Sequence, residues 1–217
     1  MRMRLDHISY ATSHDKLIDV VQRLGSNVGA TFVDGGIHPG FGTRNFILPL
    51  SNGLYIEVVC PLDHPAVDST PFGQMVSKKS IEGGGWLTWV VSTKDISDIE
   101  SRLGRKAVRG HRKKPNGNDL EWLQVGVIAT IDDYQLPFFV QWVSDIHPSN
   151  DFSSDIRLVS IEIAGEKEKI ENWLGTTIES VLGEVKVSWV SPDDLTPQES
   201  GIVAIQLQSD KGLIRLD

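Results

Sequence analysis

The chain has 217 residues, 40% of them hydrophobic, which is enough for a sizeable core, and its 23% of charged residues is too few for a disordered polymer. Its 21 Lys and Arg against 29 Asp and Glu give a net charge of -8, which sets aside broad binding to a nucleic-acid backbone. No run of 18 apolar residues occurs, so neither a spanning helix nor a membrane partner is expected.

In chain order, LDHISYATSHDKLIDVVQRLG (5–25) reads as a short strand, a polar turn and an amphipathic helix, with no apolar leader before it. Strand parity puts His7 and Ser9 on one face and Ile8 and Tyr10 on the other. Leu17, Val20, Val21 and Leu24 recur at helical spacing, with Asp15 as a candidate N-cap. Three strand-like stretches follow, ATFVDG, TRNFILPL and LYIEVVC, with Ser51-Asn52-Gly53 as a turn. Cys60 is the only cysteine, so no internal disulfide forms. Its apolar neighbours mark it as a small strand-end residue rather than a nucleophile, and a cytoplasmic setting is expected.

Gly83-Gly84-Gly85 precedes a strand instead of opening a helix, so it reads as a linker and not as a dinucleotide fingerprint. GWLTWVVSTKDISDIESRLG (85–104) then repeats the first plan, with Ile96, Ile99 and Leu103 on one side of the helix. KAVRGHR, LEWLQVGVI and PFFVQWVS supply its strands, and the basic stretch Arg105 to Lys114 reads as a solvated loop. A third round opens with RLVSIEIAGEKEKIENWLG (157–175) and continues through EVKVSWVS, GIVAIQLQ and GLIRL. All three helices close on Leu-Gly, at Leu24-Gly25, Leu103-Gly104 and Leu174-Gly175, where Gly is a natural C-cap.

The expectation is an α+β chain of three βαβββ modules, at 1–82, 83–150 and 151–217. One helix shields only one face of each sheet, so the other face must meet a second module or wall a ligand. The six tryptophans read mostly as core, with Trp122 or Phe41 as candidate pocket liners. No Gly-x-Ser-x-Gly elbow, phosphate-binding loop or His-Glu-x-x-His run is present.

Several of these residues together resemble the glyoxalase-like domain family of the vicinal-oxygen-chelate superfamily. They are Leu5-Asp6-His7-Ile8, the loop from Gly36 to Asn45 that contains His38-Pro39-Gly40-Phe41-Gly42-Thr43-Arg44, and the runs Phe46 to Leu50 and Tyr55-Ile56-Glu57. Arg112, Pro115, Gly117, Trp122 and Leu136-Pro137-Phe138-Phe139 extend the match, which runs to about His147-Pro148 and leaves the third module as a less characteristic tail. The resemblance implies a curved antiparallel sheet from the first two modules, helices on its outer face, and a concave small-molecule pocket. In that superfamily a divalent metal (Zn, Mn, Fe, Ni or Mg) commonly sits in the cup and activates substrates with two neighbouring oxygens. Its members include isomerases, lyases, ring-cleaving dioxygenases, epimerases and thiol transferases, and also drug-sequestering proteins without catalysis.

Carried over residue by residue, His7 matches the first-strand ligand and Glu57 the last-strand ligand of module one. Module two departs from the pattern. Leu87 or Thr88 stands where histidine or glutamine is expected, and Gln141 where a carboxylate is, so Gln141 would be a weaker third ligand. The alternative makes His7, Glu57 and Gln141 a polar lining that hydrogen-bonds a ligand, with Glu57 as general base if no metal binds. His38, Thr43, Arg44 and Asn45 form a second group, in which Arg44 would clamp a carboxylate or phosphate or else satisfy a tight turn. Arg112 is either an anion contact or an exposed loop residue. His14, His64, His111 and His147 read as surface turns. The expected function is a glyoxalase-like small-molecule enzyme of lyase, isomerase or dioxygenase type. The alternative is a non-catalytic binding or sequestering protein of the bleomycin-resistance type. The third module would leave a sheet face or edge bare, which suggests a homodimer through it, unless it packs against the first two modules or is degenerate.

Overall fold

A computed structural model describes residues 3–217 except 116, 118, 146, 152 and 196, with the side chains of 150 and 151 also outside the description. The first half comprises β1 (Arg4–Ala11), α1 (Leu17–Val28), β2 (Val33–His38), β3 (Thr43–Pro49), β4 (Tyr55–Pro61), α2 (Ala66–Ser69) and α3 (Pro71–Ile81). The second comprises β5 (Gly85–Ser92), α4 (Ser97–Leu103), β6 (Val108–Lys113), β7 (Asp119–Val125), α5 (Val127–Asp132) and β8 (Phe138–Trp142). The chain ends with β9 (Arg157–Ala164), α6 (Lys167–Leu174), α7 (Ile178–Leu182), β10 (Lys186–Val190), β11 (Gly201–Ser209) and β12 (Gly212–Leu216).

The first eight strands close a barrel in the order β1-β4-β3-β2-β6-β7-β8-β5. The halves join along antiparallel β1 and β5, and across the far side where Ile37 of β2 meets Lys113 of β6. Within each half the first strand returns beside the last in parallel, β1 on β4 and β5 on β8, while the remaining pairs run antiparallel. Alternation then sorts the side chains. Ile8 and Tyr10 pack outward with Leu17, Val21 and Leu24 of α1. A second cluster of Phe41, Phe72, Met75, Leu87, Val90 and Phe138 lies on the cavity side. Helix α3 supplies Phe72 and Met75 to that cluster. Thr70 caps it by accepting from Gly73 N, and Pro71 occupies its first position, both ordinary helix-start signals.

Several expectations are corrected. Helix α1 runs through Gly25 and ends at Gly29 (φ 77), whose N–H bonds Gly25 O. Gly25 is a packing residue, since a Cβ there would stand 2.5 Å from the Ala30 carbonyl oxygen. Gly104 (φ 62) and Gly175 (φ 71) do cap α4 and α6 in the left-handed region. Asp15 lies inside the short 3-10 turn His14–Lys16 and does not cap α1. The basic stretch contains strand β6, and Val127-Ile128, read as the end of a strand, opens α5.

The third round repeats the string of elements but not their pairing. Its sheet is ordered β10-β9-β11-β12, so β9 is central, parallel to β10 and antiparallel to β11. Helices α6 and α7 form a β-α-β crossover that lays β10 directly beside β9. This sheet therefore has no first-strand edge to offer for the kind of joint that β1 and β5 make. Ile161, Ile163, Ile205 and Leu207 of this sheet share one core with α1 and the outward residues of β1 and β5. Among the described residues no helix is long and apolar enough to cross a membrane.

Candidate functional site

Strand alternation and one helix bring twelve side chains around a single cavity. His7 comes from β1, His38 from β2, Asn45 from β3, Tyr55 and Glu57 from β4, and Arg112 from β6. Trp122 and Gln124 of β7, Phe138, Val140 and Trp142 of β8, and Phe72 of α3 complete it. The space open to a water-sized sphere is about 30 Å³, against roughly 10–15 Å³ for one water. It admits two waters or one small functional group unless a wall moves.

Glu57 is only 4% exposed. Ser9 Oγ donates to its Oε2 and Asn45 Nδ2 to its Oε1, each at 2.6 Å. Burial pushes its pKa up, but the His7 and His38 side chains and these two hydrogen bonds outweigh that, so the carboxyl titrates below its ordinary range and is ionised at neutral pH. His7 Nε2 stands 4.0 Å from Glu57 Oε2, and its ring stacks on Tyr55 with centroids 4.4 Å apart. His38 Nδ1 lies 2.9 Å from Thr43 Oγ1. Burial pushes His38 down to about 4, leaving a neutral ring at physiological pH. Burial also raises the Tyr55 hydroxyl well above its ordinary value.

Behind His7 lies a fully buried carboxylate, Asp6. His7 Nδ1 is 2.9 Å from its Oδ1, while Trp142 Nε1 donates to Oδ2 at 3.1 Å and His147 Nε2 lies 3.1 Å from the same oxygen. Burial opposes ionisation, but the hydrogen bonds from His147 and His7 prevail and hold Asp6 well below the carboxylate range.

The structure thus places His7, Glu57, His38, Asn45 and Arg112 on one cavity. Arg112 is 3% exposed on a strand, not an exposed loop residue. Thr43 reaches the cavity only through His38. Arg44 is corrected: strand alternation turns it away from Asn45, and it pairs with Asp34 at 2.5 Å over the Phe46 ring. Gln141 is corrected as well. In β8, Val140 and Trp142 face the cavity, so Gln141 faces out, where its Oε1 accepts from Ile96 N at 2.9 Å. Asp6, His147, Tyr55 and Trp142 were not singled out for the site by the sequence. Phe41 packs against His38 and Trp122, whereas Trp122 itself lines the cavity.

A divalent metal does not fit these residues. His7 Nε2 and Glu57 Oε2 stand 4.0 Å apart, and two donors do not by themselves hold an ion that takes four or more ligands. From the second half, β8 offers Val140 and Trp142, and Thr88 Oγ1 of β5 donates to the Trp89 carbonyl. Gln124 Oε1 is engaged by Trp122 Nε1 at 2.8 Å. Among the described residues no three His, Cys, Asp or Glu gather in a metal-holding group.

With the geometry in view, comparisons place the chain. The sequence model described as a glyoxalase-like domain matches residues 5–178. The crystal structure of a hypothetical protein from Staphylococcus aureus is similar over 99% of this chain and 86% of that one, at 16% identity and TM-score 0.63. Methylmalonyl-CoA epimerase from Mycobacterium tuberculosis aligns with 64% of this chain and 86% of its own, at 16% identity and TM-score 0.42. The Streptomyces coelicolor epimerase bound to 2-nitronate-propionyl-CoA aligns with 66% and 98%, at 18% identity and TM-score 0.45. No curated protein matches the chain.

Proposed function

We propose, from the premise that this chain belongs to the glyoxalase-like domain family of the vicinal-oxygen-chelate superfamily, that it is an enzyme moving a proton on a small carbonyl compound with its own side chains in place of a metal. One observation carries this reading: a buried, ionised Glu57 lies 4.0 Å from His7 Nε2 on a cavity where the described residues gather no metal-holding group of three. Two atoms that far apart can both lie within hydrogen-bond reach, roughly 2.6–3.2 Å, of one ligand atom set beside them.

The substrate class is a small carbonyl compound bearing an acidic C–H and an anionic or enolisable oxygen. Arg112 takes that oxygen, as guanidinium groups take carboxylates and enolates. Glu57 accepts the proton as the C–H bond breaks, and the electron pair becomes the new C=C bond while the carbonyl oxygen gains charge beside Arg112. Glu57 passes that proton to His7 Nε2, which delivers it to the enolate oxygen, so the step is a keto–enol isomerisation with no net oxidation. Phe72, Trp122, Phe138 and Trp142 keep bulk water out of the reaction space. A cytoplasmic setting fits the single thiol, Cys60, free and buried.

The test is deuterium uptake from D2O into a panel of small 2-oxo carboxylates and hydroxy ketones, followed by proton NMR. The native chain exchanges at least one of them, and Glu57→Gln lowers the rate by about 10²–10⁴. Exchange by the variant at the native rate contradicts the proposal. The aromatic walls favour a second reading, sequestration, and tight binding of a ligand with no exchange is its signature.

A further inference from the structure

We infer that Asp6 is a positioning residue that fixes the His7 ring as its Nδ1–H tautomer and so presents a bare Nε2 to the ligand. The inference deepens the proton-transfer reading above and rests on it for its catalytic meaning, though the tautomer is measurable without any substrate.

The backbone is built for this contact. In the pairing of β1 with β5, Leu5 meets Val91 and His7 meets Val90, so Asp6 is the extra residue of a β-bulge. Under regular alternation Asp6 would share the face of Ile8 and Tyr10, which lies in the apolar core. The bulge instead turns its carboxylate toward the cavity-lining Trp142 and the ring of His7. The two oxygens divide their duties. Oδ1 faces His7 Nδ1 at 2.9 Å, and Oδ2 is held by Trp142 Nε1 and His147 Nε2, both at 3.1 Å. Held at Oδ2 from β8 and from the connection after it, the carboxylate cannot swing away from the imidazole.

An ionised carboxylate has only lone pairs to offer, so the proton between it and Nδ1 belongs to the imidazole. A neutral imidazole protonated at Nδ1 has its remaining lone pair at Nε2, the atom that faces Glu57. Stacking on Tyr55 fixes the plane of the ring, so that lone pair has one direction. The site therefore holds an acceptor pair, His7 Nε2 and Glu57, ready for a substrate proton.

The experiment is a long-range proton–nitrogen NMR correlation of the uniformly 15N-labelled full chain, at a pH where the rings are neutral. His7→Gln identifies the His7 signals by their loss. The native spectrum is expected to show His7 protonated at Nδ1, and Asp6→Asn, which sets a donor among these donors, is expected to move the proton to Nε2. His147→Gln removes a different partner of the same carboxylate and is expected to leave the His7 tautomer in place. In the exchange assay Asp6→Asn should lower kcat by about 10²-fold or more with KM little changed. A native ring protonated at Nε2, or an Asp6→Asn chain with unchanged His7 signals, would overturn the inference, and the native spectrum decides it even if that variant fails to fold. If the expected tautomer is found while no carbonyl compound exchanges, the functional reading fails and the tautomer assignment stands.

Discussion

Removing the carboxamide of Asn45 tests how the cavity keeps a charge buried. Asn45→Ala deletes a 2.6 Å hydrogen bond to a carboxylate that is 4% exposed. Hydrogen bonds to charged groups contribute roughly 1.5–3 kcal/mol. Water can enter the space left, because the adjoining cavity already has room for two, so the lower end applies, about 1.5–2 kcal/mol at neutral pH. For a chain of this length that corresponds to a fall in Tm of roughly 3–8 °C. The pH dependence follows from the direction of the Glu57 shift. Its folded pKa lies below the ordinary value of 4.5, so its stabilising contribution is fully present above that value and is lost as pH falls through the lowered one. Losing the Asn45 bond raises the folded pKa, so native and variant chains differ most at neutral pH and converge below about 4.5. Urea unfolding across that range is the assay. A difference under 0.5 kcal/mol at neutral pH, or one that widens on acidification, would refute the reasoning.

Three further outcomes are expected. A Cβ at Gly110 would lie 2.3 Å from Trp122 Cε2, so Gly110→Ala must push that ring by about 1 Å and should cost roughly 1–3 kcal/mol, read by denaturant midpoint and tryptophan fluorescence. Gln141→Ala removes the acceptor for Ile96 N and should lower stability by about 1 kcal/mol, yet titrations with any cavity ligand should give an unchanged Kd. Cys60 is fully buried, and burial pushes its thiol up to about 11, so a thiol reagent should label it at the unfolding rate and not faster.

Much of the barrel was legible because alternation and turn residues act locally. The parity of His7 against Ile8 and the turn at Ser51-Asn52-Gly53 depend on nothing distant. The phase of β8 was not legible, since Phe138, Phe139, Val140 and Trp142 are apolar on both faces, so nothing in the pattern says that Gln141 points out. Arg112 was open for a related reason: a run of cations looks solvated, and only the alternation of Gly110 and Arg112 toward the interior reveals the strand. Asp6 was hidden because a bulge leaves no mark in composition or period. His147 reaches Asp6 from a connection 141 residues away along the chain. The third sheet shows the same divide: its four strands and α6 were read, α7 was not, and the choice of β9 as a central strand depends on a crossover. Helix α3 was readable and missed, for Thr70-Pro71 followed by Phe72, Met75 and Val76 carries both a cap and a helical spacing.

If the chain's own side chains carry the proton chemistry in this cavity, exchange needs no metal. The most direct test is the deuterium exchange rate after exhaustive chelation, with metal content measured on the same sample. A rate equal to that of the untreated chain is expected at substoichiometric metal. Loss of exchange on chelation, restored by one equivalent of a divalent ion, would contradict it.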